Sequence, residues 1–476
     1  MPSFPLRSFL LILPLCSWLA VAVGAEKRFN LITIVTDDQA PWTLGCYGGP
    51  DAVTPQLDAL AGRGAKFTRA FVATPVCSPS RATHLTGRYG TQLGITDWIS
   101  PDEGHAGVGL SPQAVTWPAL LKQAGWTNAL FGKWHLGLQP QFYPQHFGFD
   151  RFFGFVGNGA VPKSPSIDFP DGPRKVEGWF PDLITDEAIA FMTANQDRPF
   201  TVSLHFREPH EPYGPMPAVD ESVFTNRTLT LPDLPGLDRA YVEKRTRAYL
   251  AAVHAIDRNV GRVIEHLQSG GLTDRTIILF TSDHGYLLGH QWVEGKGNSA
   301  WIAGGLKGPR RPNLWDLSLR VPLLVYWPGV TKAGAVIPQM VSSIDLFATI
   351  LAMLGVAPPA GYRHEGVDLT PLLRGENAHA RDVVFAQYDL HNTGYARLRA
   401  ARSERWKLVR RFDAQRLDEL YDLAADPHET NNLIVPGGVS VRTLTGEPAR
   451  ARAELEAQLL AWMRSIDDPA LRHTSL

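Results

Sequence analysis

Sulfur is scarce in this 476-residue chain: it has three cysteines, and Cys16 lies in an apolar leader. The remaining two, Cys46 and Cys77, could pair with each other in an oxidising compartment. Two thiols cannot build a disulfide framework, however, and a chain this long needs no staple. Net charge is equally scant, because 46 Lys+Arg against 47 Asp+Glu leave -1 at pH 7. That balance argues against a nucleic-acid footprint and against attachment to an acidic membrane. Beyond residue 25 no stretch approaches the length of a transmembrane helix. Tandem repeats and low-complexity linkers are also missing, which favours packed domains over free modules. Apolar side chains are plentiful: 44% of residues are apolar and 10% aromatic, enough for a large core. With 43 Gly and 37 Pro the chain is rich in loops, the places where sites are commonly carried.

Residues 1–25 read as a secretory signal peptide. Arg7 supplies the leading charge, Phe9 opens an apolar run that reaches Val23, and Gly24-Ala25 offers small residues for cleavage. An uncleaved anchor is the alternative, but the run is short and Pro14 interrupts it. Leu15 stands before Cys16 where a lipid-anchor signal wants a small residue. The expectation is a secreted or periplasmic, extracytoplasmic protein with no membrane contact after cleavage.

The mature chain reads as α/β. Asn30–Thr36 is a β-branched apolar run that ends at Asp37-Asp38. It has the look of a buried parallel strand with two carboxylates at its C-terminal edge, where open α/β sheets bind ligands. A plain Asx turn after a strand would account for one of these aspartates better than for both. Thr276–Thr281 is a second such strand, followed by Ser282-Asp283-His284-Gly285. Strands are also expected over residues 65–71, 127–131, 199–206 and 320–326. Helices are expected after Thr54-Pro55, with Thr54 as cap, and over 117–125, 238–268 and 343–354. From about residue 382 short alternating strands and a final helix over 449–466 suit a small antiparallel sheet. The expected division is a catalytic domain over 26–378 and a C-terminal subdomain over 379–476, packed on it.

The strand expected over residues 65–71 delivers the chain to Cys77-Ser78-Pro79-Ser80-Arg81, which leads into a helix. Pro79 suits a first helical turn, and Gly87 ends the helix. Cys77 is therefore expected just outside a helix N-terminus, a place that favours anions. Arg81 adds a fork that matches tetrahedral oxyanions. A buried structural thiol is the plainer reading of the pentapeptide taken alone. Lys133 and His135, bracketed by Gly132 and Gly137, stand beyond a strand end. His210 is held in a loop by Pro209 and Pro212. The stretch from Gly289 to Pro312 is polar, Gly-rich and insertion-like, and holds Lys296 and Lys307.

These blocks, in this order, resemble the formylglycine-dependent sulfatases of the alkaline-phosphatase-like superfamily. The likeness runs through Thr36-Asp37-Asp38, Cys77–Arg81, Gly132–Gly137, Pro209-His210, Thr281–Gly285 and Arg320-Val321-Pro322. It continues in the tail with Glu419–Leu423, Asp426-Pro427 and Asn431–Leu433. The resemblance implies a large, mostly parallel sheet sandwiched by helices, with a smaller C-terminal antiparallel sheet plus helix. It implies that a formylglycine-generating enzyme oxidises Cys77, and that the hydrated aldehyde is a geminal diol. Metal coordination and Asp283 help deprotonate one hydroxyl, which attacks sulfur and expels the alcohol. Loss of the second hydroxyl proton re-forms the aldehyde and releases sulfate. This is covalent catalysis in two easier steps. By the same resemblance Asp37, Asp38, Asp283 and His284, with residue 77, hold Ca2+ or Mg2+. His284 departs from the Asn of many members, which leaves the choice of metal open. Arg81 and Lys133 would hold the diol and the sulfate charge, and His135 would be the base that releases sulfate. His210 and a lysine of the 290s loop would protonate or stabilise the leaving alcohol. Lys296 is the expected lysine, because Gly295-Lys296-Gly297 matches the start of the family's run. Lys133, His210 and Lys296 are thus the expected substrate contacts, with a rim near Trp98, His105, Glu208, His391 and Asn392. A sulfated small molecule or polysaccharide, of carbohydrate class, is the expected substrate. The competing readings are a phosphodiesterase or phosphonate monoester hydrolase of the same superfamily, and a non-catalytic sulfated-glycan-binding protein.

Overall fold

Asn30–Thr36 (β1) is buried at all seven positions, as its uninterrupted apolar and β-branched composition requires of a central strand. The computed structural model describes residues 1–2, 28–305, 307–413, 417–435 and 442–473. All but the first two residues of the signal-peptide reading lie outside them. The other strands of β1's sheet are β2 (Ala65–Phe71), β3 (Thr127–Lys133), β4 (Arg151–Phe155), β5 (Phe200–His205), β6 (Thr276–Ser282), β7 (Arg320–Tyr326) and β8 (Ala335–Ser342). Their spatial order is β8-β2-β7-β6-β1-β5-β3-β4. Every neighbouring pair is parallel except those made by β7, which runs against β6 and β2.

Alternation along the strands sends side chains to two cores. Ile277 and Leu279 of β6 join one core with α2 (Cys77–Thr86), α3 (Trp117–Gln123) and α6 (Leu346–Met353). Ile278 and Phe280 join the other with α1 (Pro55–Arg63), α4 (Phe180–Ala194) and α5 (Arg239–Ser269). Each fully buried Leu, Ile or Phe stabilises this sandwich by about 1.5–3 kcal/mol. Helices therefore cover both faces of the large sheet.

A second sheet follows, antiparallel, of β9 (Val384–Leu390), β10 (Ala396–Arg402), β11 (Trp406–Arg411) and β12 (Glu419–Asp422). One of its faces, with Tyr388, Leu390, Leu398 and Ala400, joins the α2 side of the large-sheet core. Its other face, with Ala401, Leu408 and Leu420, packs on Leu455, Leu459 and Trp462 of α7 (Gly446–Ser465).

Three expectations need correction. Thr54 does not cap α1; its hydroxyl bonds Gly45 N and Asp58 instead. The cap comes from Asp257 of α5, whose carboxylate accepts from Gln56 N at 3.2 Å and Leu57 N at 2.8 Å. Strand β3 runs on to Lys133, so the lysine ends the strand and does not follow it. Two strands of the large sheet, β4 and β8, had no sequence expectation. Both are edges of the sheet. Gly154 breaks the apolar pattern of the first, where a Cβ would fall 1.9 Å from Gly132 O, and Pro338 that of the second, at a register irregularity between Ile337 and Met340.

Candidate active site

The site stands where the C-terminal ends of β1, β6, β5 and β3 converge. Thr36 pairs with Ser282, and Asp283 N donates to Thr36 O at 2.9 Å, so Asp37 and Asp283 emerge side by side. Gly132 pairs with His205, which brings the end of β3, and with it Lys133, to the same edge. Only glycine fits there: φ is +116°, and a Cβ would fall 1.8 Å from His205 O. Asp38 turns its backbone into the left-handed region at φ 69°, and its N–H donates to Asp283 Oδ1 at 3.2 Å.

Cys77 is the first residue of α2, with Val76 as cap. It therefore sits inside the first turn and not, as expected, just outside it. All ten residues of this helix are buried. Ser80 Oγ donates to Asp283 O, and Ser78 Oγ accepts from Ile99 N at 2.9 Å. Arg81, one turn on, donates from Nε to Asp283 Oδ2 at 3.0 Å and from Nη1 to Lys133 O at 3.2 Å.

Around the Cys77 sulfur are Asp37 Oδ1 at 3.5 Å, His284 Nε2 at 3.5 Å and Lys296 Nζ at 3.2 Å. Lys296 Nζ also donates to Asp38 Oδ1 at 2.5 Å. Lys133 pairs with Asp37. His210 Nε2 faces Asp38 Oδ2 at 3.8 Å. His135 Nε2 donates to Ile99 O at 3.0 Å. The structure thus gathers Asp37, Asp38, Cys77, Arg81, Lys133, His135, His210, Asp283, His284 and Lys296 into one buried cluster, with only His210 partly exposed. Cys46 is elsewhere, beside Asp58, and both thiols are free. Burial and that carboxylate push the Cys46 thiol up to about 12.

Lys307 lies outside the cluster, exposed and paired with Glu211 Oε2 at 3.2 Å. Lys296 comes close because Gly297 can lie against Pro75, just before Cys77. Gly297 N donates to Pro75 O at 3.1 Å, and a Cβ at Gly297 would meet that proline within 3 Å. Of the expected rim, the loop at Glu208 presents the partly exposed His210, while the Glu208 side chain itself is fully buried against Arg207. His391 and Asn392 do meet the Trp98 loop, with Asn392 Nδ2 donating to Trp98 O at 2.7 Å and His391 Nε2 facing Glu103 Oε1 at 2.8 Å. His105 is exposed at the end of a short helix. Sequence reasoning missed Ser78, Ser80, Arg245 and Glu294. Ser78 and Ser80 had a signal in their place inside Cys77–Arg81, and Glu294 in its place directly before Gly295-Lys296; Arg245 had none.

Electrostatics define what the cluster lacks. Burial raises Asp37, as does Cys77, but Lys133, His210 and Arg81 outweigh them and hold its carboxyl well below the usual range. Burial and the neighbouring Asp37 push Asp283 up to about 6. Burial opposes a charge on His284, yet Asp283 and Asp38 carry it up to about 9. Burial likewise opposes a Cys77 thiolate, and Lys133 and Lys296 outweigh it. Crowded carboxylates that retain protons, or draw them onto an imidazole, mark a place with too little positive charge. The ligand atoms of Asp37, Cys77, Asp283 and His284 lie within 4.8 Å of one another, as do those of Asp37, Asp38, Cys77 and His210. Opposed ligands on Ca2+ stand about 4.6–5.2 Å apart. Spacing and donor type therefore fit a hard divalent cation.

The sulfatase family model matches residues 30–356, and the model for the C-terminal part of N-sulphoglucosamine sulphohydrolase matches residues 311–441. The N-acetylgalactosamine-6-sulfatase of Rattus norvegicus is 32% identical over 397 residues, covering 78% of this chain and 71% of that one. A structure solved in complex with its substrate D-glucosamine-2-N,6-O-disulfate is 25% identical, with a TM-score of 0.77, covering 93% of this chain and 99% of the other. The phosphonate monoester hydrolase of Agrobacterium radiobacter shares the fold, with a TM-score of 0.71 at 22% identity over 92% of this chain and 96% of that one. The chain belongs to the sulfatase family, within the alkaline-phosphatase-like superfamily, and is an enzyme of that family. The large mixed sheet between helices and the small four-stranded sheet are as the sequence led one to expect.

Proposed function

We propose that this enzyme hydrolyses a sulfate ester of a carbohydrate, using residue 77 as formylglycine and a divalent cation. The observation that carries the reading is the placement of Cys77 in the first turn of α2, with Lys296, His284 and Asp37 all within 3.5 Å of its sulfur. A thiol so enclosed by cations and carboxylates makes little sense as filler for a core. Asp37, Asp38, Asp283 and His284 would hold Ca2+ or Mg2+ beside residue 77. The cation would polarise a sulfuryl oxygen and lower the pKa of the nucleophile. Oxidised to formylglycine and hydrated, residue 77 would supply one oxygen to bond sulfur and a second whose deprotonation re-forms the aldehyde and frees sulfate.

The rest falls to ordinary side chains. Arg81, Lys133 and Lys296 are balanced by Asp37, Asp38 and Asp283 in the chain alone. A bound divalent cation would leave the pocket positive, as an anionic sulfate ester requires. Lys133 and Arg81 hold charge at the sulfuryl oxygens. His135, neutral because burial keeps its ring down at about 4, is free to take a proton. His210 and Lys296 face the alcohol side. A formylglycine-generating enzyme would act on the chain, and the protein would work outside the cytoplasm after loss of residues 1–25. Residues 26–378 would form the catalytic unit and 379–476 a subdomain fixed to it. Two of the relatives named above, the N-acetylgalactosamine-6-sulfatase and the structure holding D-glucosamine-2-N,6-O-disulfate, concern 6-sulfated amino sugars, so 6-O-sulfated hexosamines are the first substrates to try.

The test is direct. Purified protein with Ca2+ or Mg2+ is given hexosamine 6-sulfates, an aryl sulfate and a phenyl phosphonate, and free sulfate and phosphonate are measured. Sulfate release with kcat/KM well above that for the phosphonate is expected. A faster phosphonate reaction would replace this reading with that of a phosphonate monoester hydrolase. Tight binding of sulfated sugar with no turnover by formylglycine-bearing protein would replace it with that of a glycan-binding protein.

A further inference from the structure

Two side chains assigned above to the leaving alcohol come from separate, irregular parts of the chain. His210 lies on the loop after β5, and Lys296 on a small hairpin in which Glu294 pairs with Leu288. Neither place is fixed by a long element. Lysine reaches through a flexible four-carbon stem, so its ammonium is only as well placed as the backbone beneath it.

Glu294, two residues before Lys296, is 4% exposed. Its Oε1 accepts from Tyr213 OH at 2.7 Å and from Arg245 Nε at 2.8 Å, and its Oε2 accepts from Tyr241 OH at 2.7 Å. Tyr213 belongs to the His210 loop. Arg245, on α5, also pairs with Glu211 Oε1 at 2.7 Å and lays its guanidinium 4.3 Å from the Tyr213 ring centroid. Glu211 in turn accepts from His210, whose Nδ1 lies 2.6 Å from the Glu211 carbonyl oxygen. That contact requires the proton on Nδ1, and in the protonated ring leaves Nε2–H to be delivered. One guanidinium on a long helix thus joins both loops through Glu294 Oε1 and Glu211, while Glu294 Oε2 is tied to the same helix through Tyr241.

The geometry points to Glu294 and Arg245 as positioning residues that hold the His210 loop and the Lys296 hairpin in one arrangement and so govern departure of the alcohol. This rests on the reading of His210 and Lys296 as the leaving-group pair. As the bond from sulfur to the alcohol oxygen breaks, its electrons stay on that oxygen, which receives the His210 Nε2 proton while the Lys296 ammonium offsets the charge. Departure of a strongly acidic phenol needs neither group. Departure of a weakly acidic alcohol needs both.

Glu294→Gln keeps the size of the side chain and removes its charge. Glu211→Gln, at the half-exposed end, loosens the same tie without touching the buried part. Full-length variants are assayed on substituted phenyl sulfates of graded phenol acidity, with kcat normalised to formylglycine content, beside Lys296→Ala and His210→Ala. Both Gln variants are expected to lose about 10- to 10²-fold in kcat on the least acidic phenol, the range a misplaced catalytic group gives. On the most acidic phenol they are expected to lose under about threefold, with KM little changed throughout. A loss that is equal across the series, or absent, while Lys296→Ala shows a steep dependence on phenol acidity, overturns the positioning role. If Lys296→Ala and His210→Ala also show no such dependence, the leaving-group reading itself is overturned.

Discussion

Lys296 and Lys307 share one loop and differ in all that the chemistry needs. The first is buried against Cys77 and Asp38, and the second is exposed on Glu211. Flanking glycines gave this away in the sequence, because a backbone that must touch Pro75 cannot carry a Cβ at position 297. Lys296→Ala is expected to lower kcat on a weakly acidic alcohol by roughly 10²-fold or more, whereas Lys307→Ala is expected to raise KM and spare kcat. Steady-state kinetics on both variants checks this, and the reverse pattern contradicts it. Asp37→Ala and Asp283→Ala remove one carboxylate each from the proposed cation site. Both are expected to lose stoichiometric Ca2+ or Mg2+ by elemental analysis, and turnover with it; retained metal would show these ligands to be misassigned. Residue types at the centre were legible because Cys77–Arg81, Asp37-Asp38 and Asp283-His284 are contiguous runs. The burial of the Glu208 side chain was not legible, because nothing local announces that it folds under with Arg207. Arg245 was illegible for a related reason. On a helix with a solvated face, one arginine looks like the next until Glu294 and Glu211 are seen beside it.

At the scale of elements, central strands and long helices could be read, and edges could not. β1 and β6 announce themselves by unbroken β-branched runs, and Asp238 caps α5 as expected, accepting from Tyr241 N at 2.9 Å. β4 and β8 carry a glycine and a proline that break the apolar run by which a strand is read. The cap of α1 is long-range, so no local pattern could supply it. Burial pushes Asp257 up to about 6 even though two backbone amides hold its charged form. Its folded pKa thus exceeds the unfolded value near 3.9, so this group's contribution to stability is full below about pH 4 and declines as pH rises through about 6. Asp257→Ala orphans those two amides and should cost about 1–2 kcal/mol. A denaturant midpoint lowered accordingly, with kcat per folded molecule unchanged, is the expected outcome. An unmoved midpoint would show that α1 is capped in some other way.

For the molecule as a whole, the small sheet is part of the main core. Gln387 N donates to Ala73 O at 2.9 Å, just upstream of Cys77, and buried Lys407 of β11 pairs with Asp316 at 2.9 Å and Glu429 at 2.7 Å. A chain ended at residue 378 would expose the apolar face that Tyr388, Leu390 and Leu398 now cover. It is expected to show no cooperative thermal transition, and a truncated chain that melts cooperatively and binds metal would contradict this. The alternating strands after residue 382 were legible, but the burial of both their faces was not, since alternation suggests one solvated side. No described helix is long and apolar enough to cross a membrane. All of these features converge on residue 77, and so does the decisive measurement. Active protein is digested with trypsin, and the peptide Ala70–Arg81 is weighed by mass spectrometry. Residue 77 is expected with sulfur exchanged for oxygen and two hydrogens lost, in proportion to sulfatase activity across preparations. Full activity from protein whose residue 77 is unmodified cysteine would contradict it.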